Sequence, residues 1–246
     1  MEIPSLALLA QSSLLDNYHR ATLEGKLVIG ILVIFSMFAW SVMTSKALQM
    51  RRARRLNSLF REEYRRQKSV TEVHDRRVKV EGCPLFTIYE NGCQELGQHI
   101  RRGAGADPHR ILSLKAMELV KGVLERSVAR ESLQLEAGLI LLAIAVSGAP
   151  FLGLLGTVWG VMDAFGGVVA GGGGATLQKM APGVAGALIT TVAGLMVAIP
   201  SMFGYNWLVH NLRVLTVEMD NFAQELAARM EVEFLEDPEA DRRLSQ

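Results

Sequence analysis

Between Glu136 and His210 the chain carries only two charged side chains, Asp163 and Lys179, which bracket a glycine-rich break between two long apolar runs. Crossing about 30 Å of hydrocarbon as a helix takes about 20 mostly apolar residues. The uncharged runs 137–162 and 180–209 hold 26 and 30 residues, so each can cross a bilayer. A third run, 27–45, lies between Lys26 and Lys46 and has 19. No carboxylate, Lys, Arg or His falls inside any of them. The pattern predicts an all-α membrane protein with three long transmembrane helices.

Half of the residues are hydrophobic, and this segmentation assigns them to membrane span rather than to a globular core. The net charge of +1 implies no nucleic-acid partner, but its distribution sets an orientation. Residues 46–68 carry nine Lys and Arg against Glu62 and Glu63, whereas the 25 residues before Lys26 have one Arg and three acids. A basic cluster next to a span holds that side in the cytoplasm. The N-terminus is therefore expected outside, and three crossings bring the C-terminus into the cytoplasm. The basic residues follow the first apolar run instead of preceding it, so that run reads as an anchor and not as a cleaved signal.

The expected organisation is an amphipathic interfacial segment at 1–25, a first span at 26–45 and a cytoplasmic helical loop at 46–135. A second span at 136–165, a short outer glycine-rich loop at 166–179 and a third span at 180–209 follow. A cytoplasmic helix and tail fill 210–246. Turn signals interrupt the long loop at Glu81-Gly82-Cys83-Pro84 and at 103–108. Asp107 before Pro108 reads as a helix start, and that helix is expected to run unbroken into the second span. Leu212, Leu215, Met219, Phe222 and Leu226 recur at helical spacing after the third span, which predicts a helix projecting well beyond it and ending before Pro238. The loop is thus a helical bundle and not a separate enzyme domain.

Enzymatic chemistry finds little support. Cys83 and Cys93 fall in the expected cytoplasmic segment, where a disulfide does not persist. The five His residues are scattered, the cysteine spacing matches no zinc knuckle, and no cofactor is implied. The run 171–174 is four glycines, but a phosphate loop needs Lys-Ser/Thr opening the next helix and the chain offers Leu177-Gln178-Lys179-Met180.

On a helix, Gly153, Gly156, Thr157, Gly160 and Ala164 of the second span fall on one side, and so do Gly183, Ala187, Thr191, Gly194 and Ala198 of the third. Small residues let membrane helices approach closely, because lipid offers no hydrophobic drive to association. Tight packing within one chain is one reading of these stripes; a face turned to a pore or a partner helix is the other. The hydroxyls have a local reading too, since a buried Thr commonly bonds back to its own helix. Asp163 reads as a solvated interfacial residue or as a cation-attracting group at the outer mouth. Pro150 and Pro200 mark kinks or hinges, which spans tolerate.

The segments Pro150-Phe-Leu-Gly-Leu-Leu-Gly-Thr-Val-Trp-Gly-Val-Met162 and Ala181-Pro-Gly-Val-Ala-Gly-Ala-Leu-Ile-Thr-Thr-Val-Ala-Gly-Leu-Met-Val-Ala-Ile-Pro200 closely resemble the TolQ/ExbB branch of the MotA/TolQ/ExbB proton-channel family. The resemblance runs from about residue 148 to 230 and leans toward TolQ in Ala175-Thr-Leu-Gln178 and Asp220-Asn-Phe222. It implies an inner-membrane stator subunit, a homopentamer whose second and third helices line a pore around a TolR/ExbD-like single-span partner. Proton motive force would there drive work at the outer membrane, with a TolA/TonB-like protein as a further partner. By motif position the family's pore-facing threonines correspond to Thr157 and Thr191.

The ion-free spans agree with that picture. A proton path across hydrocarbon needs a titratable relay. This chain has none there, so a partner's aspartate would carry the proton, with the hydroxyls of Thr157 and Thr191 serving both its charged and neutral states. One departure stands out: the family usually has a Glu in the third span where this chain has Gly186. Thr190 adds a hydroxyl beside Thr191 and leaves sodium coupling open. Rival readings are an ExbB-type energiser of TonB-dependent uptake, a motility or secretion motor, and a passive scaffold without ion coupling.

Overall fold

The computed structural model describes residues 23–76, 80–103, 112–170 and 177–234. Its regular elements are α-helices: α1 (Leu23–Arg65), α2 (Glu72–Asp75), α3 (Pro84–Gly103), α4 (Leu114–Glu136), α5 (Leu139–Ala170) and α6 (Leu177–Phe234). Three of them, α1, α5 and α6, are long and apolar enough to cross a membrane. The chain divides into two compact units, one of residues 1–45 and 138–208, the other of 46–137 and 209–246.

In the first unit, Val28 and Leu32 of α1 pack with Ala149 of α5 and Ala198 of α6, joined by Leu152, Ala193 and Val197. Much of the remaining apolar surface faces outward, including Phe38, Trp40, Phe151, Met162, Met196 and Phe203. An isolated helix triplet can expose such side chains only to lipid or to other apolar helices.

The second unit closes on large side chains. Phe60 and Tyr64 of α1, Phe86 and Tyr89 of α3, and Phe222 of α6 form an aromatic cluster with ring centroids 5.3–6.4 Å apart, mostly edge-on or tilted. Around it runs a polar seam. Arg54 donates to Asn211 at 3.0 Å and Arg61 pairs with Glu218 at 3.3 Å, seven residues on along both helices. Arg229 lies over the Tyr64 ring, 4.6 Å from its centroid, and donates to the Gln67 carbonyl at 3.2 Å. Burial pushes the thiols of Cys83 and Cys93 up to about 11 and about 12, and both cysteines are free.

Several expectations change. The helix foreseen from Pro108 begins at Leu114, where the extended Ser113 caps it by accepting from the Ala116 N–H at 3.2 Å. It does not run into the next span either. Helix α4 stops at Glu136, and Gly138 adopts a φ of 88°, a left-handed geometry that favours glycine. Helix α5 reaches Ala170 and α6 starts at Leu177, so both extend into the stretch read as an outer loop. The turn before α3 lies where expected, with Gly82 at φ 81° and Pro84 opening the helix. The interfacial segment before residue 23, the Asp107–Pro108 start, the four glycines at 171–174 and the tail with Pro238 lie outside the described residues.

Candidate functional site: the α5–α6 seam

The small-residue stripes of α5 and α6 meet each other. A methyl added at Gly153 would lie 2.9 Å from the Thr190 carbonyl oxygen and from Thr191 Cα. At Gly156 it would lie 2.6 Å from Thr190 Oγ1, at Gly160 2.7 Å from Ala187 Cβ, and at Gly183 3.0 Å from Ala164 Cβ. At Gly194 the nearest atom is the Ala149 carbonyl oxygen, 2.6 Å away. Positions falling along α5 while they rise along α6 make the pair antiparallel. Glycine at these points is what allows backbone to touch backbone.

Close approach brings hydroxyls to carbonyls. Thr190 is fully buried, and its hydroxyl reaches the Ala187 carbonyl at 2.7 Å and the Gly153 carbonyl at 3.0 Å. Thr191 is half-buried, within 3.1 Å of the same Gly153 oxygen and 3.4 Å of Thr157 Oγ1. Thr157, also half-buried, donates to the Leu154 carbonyl at 2.7 Å, which leaves its lone pairs open to Thr191. The Thr157 and Thr191 side chains thus form a hydroxyl pair at the edge of the seam, while Thr190 lies inside it.

The other candidates are placed as follows. Asp163 is exposed and makes no hydrogen bond or ion pair among the described residues; it sits within α5, seven residues before its end. Pro150 and Pro200 are half-buried and lie inside continuous helix. Each lacks the N–H that would bond to the carbonyl four residues back. Gly186 is buried.

Two features escaped the sequence. The Gly153 carbonyl is a shared acceptor for two threonines, and side-chain types alone cannot reveal a backbone acceptor. Gly204 packs so closely on Met43 of α1 that an added methyl would meet its sulfur. Among the described residues no titratable group stands in the α5–α6 seam, so its chemistry is that of neutral hydroxyl dipoles.

Residues 93–221 match the model of the MotA/TolQ/ExbB proton channel family. The chain is 32% identical over 225 residues to the Tol-Pal system protein TolQ of Haemophilus influenzae, covering 88% of this chain and 92% of that one. The TolQ of Pseudomonas aeruginosa is likewise 32% identical, over 219 residues, with 88% and 90% covered. The biopolymer transport protein ExbB of Neisseria meningitidis is 27% identical over 203 residues, with 82% and 90% covered. An antiparallel glycine-threonine seam free of ionisable groups, on helices fit to cross a membrane, is thus found in a chain that belongs to the MotA/TolQ/ExbB proton channel family.

Proposed function

We propose that this chain is the multi-pass inner-membrane subunit of a TolQ–TolR or ExbB–ExbD type motor, coupling proton motive force to work at the outer membrane. In this reading the N-terminus is periplasmic, and the helical unit built on residues 46–137 and 209–234 is cytoplasmic. Copies of the chain, five by analogy with the family, surround a TolR/ExbD-like single-span partner. The chain acts as a channel component and not as an enzyme.

The observation that carries this is the Thr157–Thr191 pair, 3.4 Å apart and half-exposed at the edge of a seam with no charge of its own. A partner helix laid along that edge would meet two hydroxyls that can donate to an aspartate or accept from its protonated form. The driving energy is about 2.3 kcal/mol per charge per 100 mV. Thr190 is given a packing role in this reading, because both carbonyls its hydroxyl reaches lie within the seam. Asp163, exposed on α5, serves at most to draw cations toward the outer mouth, and Pro150 and Pro200 serve as hinges.

The test is proton flux in liposomes holding this protein with its genomically adjacent single-span partner. Flux should require both proteins and fall at least tenfold with Thr191→Val or Thr157→Val while the complex still assembles. Full flux in both variants would remove the hydroxyls from the path. One observation favours the passive scaffold instead, namely Gly186 in place of the usual carboxylate. A partner whose span lacks an aspartate, together with no flux, would establish that reading.

A further inference from the structure

Helices α3 and α4 flank an open groove of about 280 Å³, with Arg126, Arg130 and Gln94 exposed along it, that no part of the channel reading uses. Arg126 and Arg130 reach it from α4, one turn apart; Asn91, Gln94 and Gln98 reach it from α3. Its lining is polar apart from Val123. Neither arginine makes an ion pair or hydrogen bond among the described residues. The acid in the lining, Glu95, is held by His99 at 3.1 Å. Ser127 is also occupied, accepting from Asn91 Nδ2 at 3.1 Å and donating to the Val123 carbonyl at 2.8 Å. Arg130 acts electrostatically on the adjacent Glu131 carboxyl without forming a pair.

Two guanidiniums four residues apart repel each other on a helix. Here they share a groove with three primary amides and one carboxylate, Glu95, whose Oε1 is engaged by His99. We propose that this groove is an anion site for a phosphate group. The arginines would clamp the phosphate oxygens through their paired N–H donors, and the Gln94 and Gln98 amides would add neutral hydrogen bonds. The ligand chemistry is an anionic phosphate, either inorganic phosphate free in solution or the phosphodiester of a lipid headgroup. The site stands apart from ion coupling, so it does not depend on the threonine pair.

The experiment uses the full chain in neutral-lipid nanodiscs, in two arms. In one, inorganic phosphate is titrated at constant ionic strength against chloride, with 31P line width and melting temperature as readouts. In the other, phosphatidylglycerol replaces part of the neutral lipid. The site predicts broadening and a rise in melting temperature in at least one arm, at least tenfold weaker in Arg126→Gln and Arg130→Gln. An effect in the first arm marks a soluble phosphate ligand; one confined to the second marks a lipid headgroup. No effect in either arm, or one that both variants retain, overturns the proposal. Ligand-free melting at low salt is an independent check. Arg126→Gln should melt at or above the parent temperature because a repulsion is relieved, and a clear fall would mean that the guanidinium already has a structural partner.

Discussion

Helix α6 packs by two different rules along its length. In the first unit it offers Gly183, Ala187, Gly194 and Ala198 to α5 and α1, and its hydrogen bonds run from threonine hydroxyls to backbone carbonyls. In the second unit it buries Leu215, Met219, Phe222, Leu226 and Met230, and its polar contacts include Arg61–Glu218, Arg54–Asn211 and Lys121–Glu231. The contrast is the one expected if, as proposed above, the first unit lies in lipid and the second in water. In water, burying a large apolar side chain is itself favourable, by about 1.5–3 kcal/mol each. In lipid that drive vanishes, and association rests on close van der Waals contact and on polar groups that find partners. Small residues are therefore the strong ones in one unit and would be the weak ones in the other.

The sharpest way to break this contrast is Phe222→Ala. The ring packs on Phe60 and Tyr64 and is 1% exposed, so its loss should cost about 3–5 kcal/mol in the unfolding of the second unit. Proteolysis within 46–137 would report it, with the α5–α6 seam left protected. Alkali should separate the units next. Cys83 and Cys93 hold their protons up to about 11 and about 12, against an ordinary value of 9.0, because burial disfavours the thiolates. Above pH 9 the unfolded thiols ionise and the folded ones do not, so stability present below pH 9 drains away as pH rises. Each group contributes about 1.4 kcal/mol per pH unit until its folded value is reached. Tyr64, raised to about 12, acts the same way from pH 10. Once the base-catalysed rise common to all amides is divided out, hydrogen-exchange protection should therefore fall steeply in the second unit between pH 9 and 11 and hold constant in the seam, which has nothing to titrate.

A smaller effect, and one of opposite sense between sites, is expected from Gly→Ala. At Gly156 the new methyl would meet Thr190, and overpacking of that kind costs about 1–3 kcal/mol. At Gly166, which has nothing within 4 Å, the same change should be neutral or stabilising, through lower unfolded-chain entropy. Melting of the two variants in detergent, side by side, would check this. Equal losses would mean that close approach is not what holds the seam.

The sequence was legible where one residue type has one physical use. Charge-free runs of sufficient length can cross only as helices, whereas the glycines at helical spacing left two readings, packing within the chain or a face turned to a pore or partner. Helix ends were harder. The start at Ser113 competed with Asp107–Pro108, a stronger local signal, and the break at Gly138 hides in a stretch whose side chains all favour continuing the helix. A φ of 88° is a backbone event, and a lone glycine between Ala137 and Leu139 does not announce it. The threonines were identifiable as a set, but not their division of labour. Thr190 and Thr191 are adjacent, so their side chains point about 100° apart around α6, and only the position of α5 decides which is buried.

That division allows the finest test of the two packing rules, a hydroxyl removed from each unit. In the second unit, Tyr89 donates to the Val70 carbonyl at 2.7 Å and accepts the His74 N–H at 3.0 Å. Tyr89→Phe leaves both groups unpaired in a buried site and should cost about 1–3 kcal/mol. In the seam, Thr190→Val keeps the shape and removes one bond to the Gly153 or Ala187 carbonyl. Hydrogen bonds between membrane helices average about 0.6 kcal/mol, because the separated helices find other partners, so the loss should be several-fold smaller. Unfolding of both variants in the same detergent decides it. If Thr190→Val proves as costly as Tyr89→Phe, the seam is held by its hydroxyls, and backbone contact is secondary.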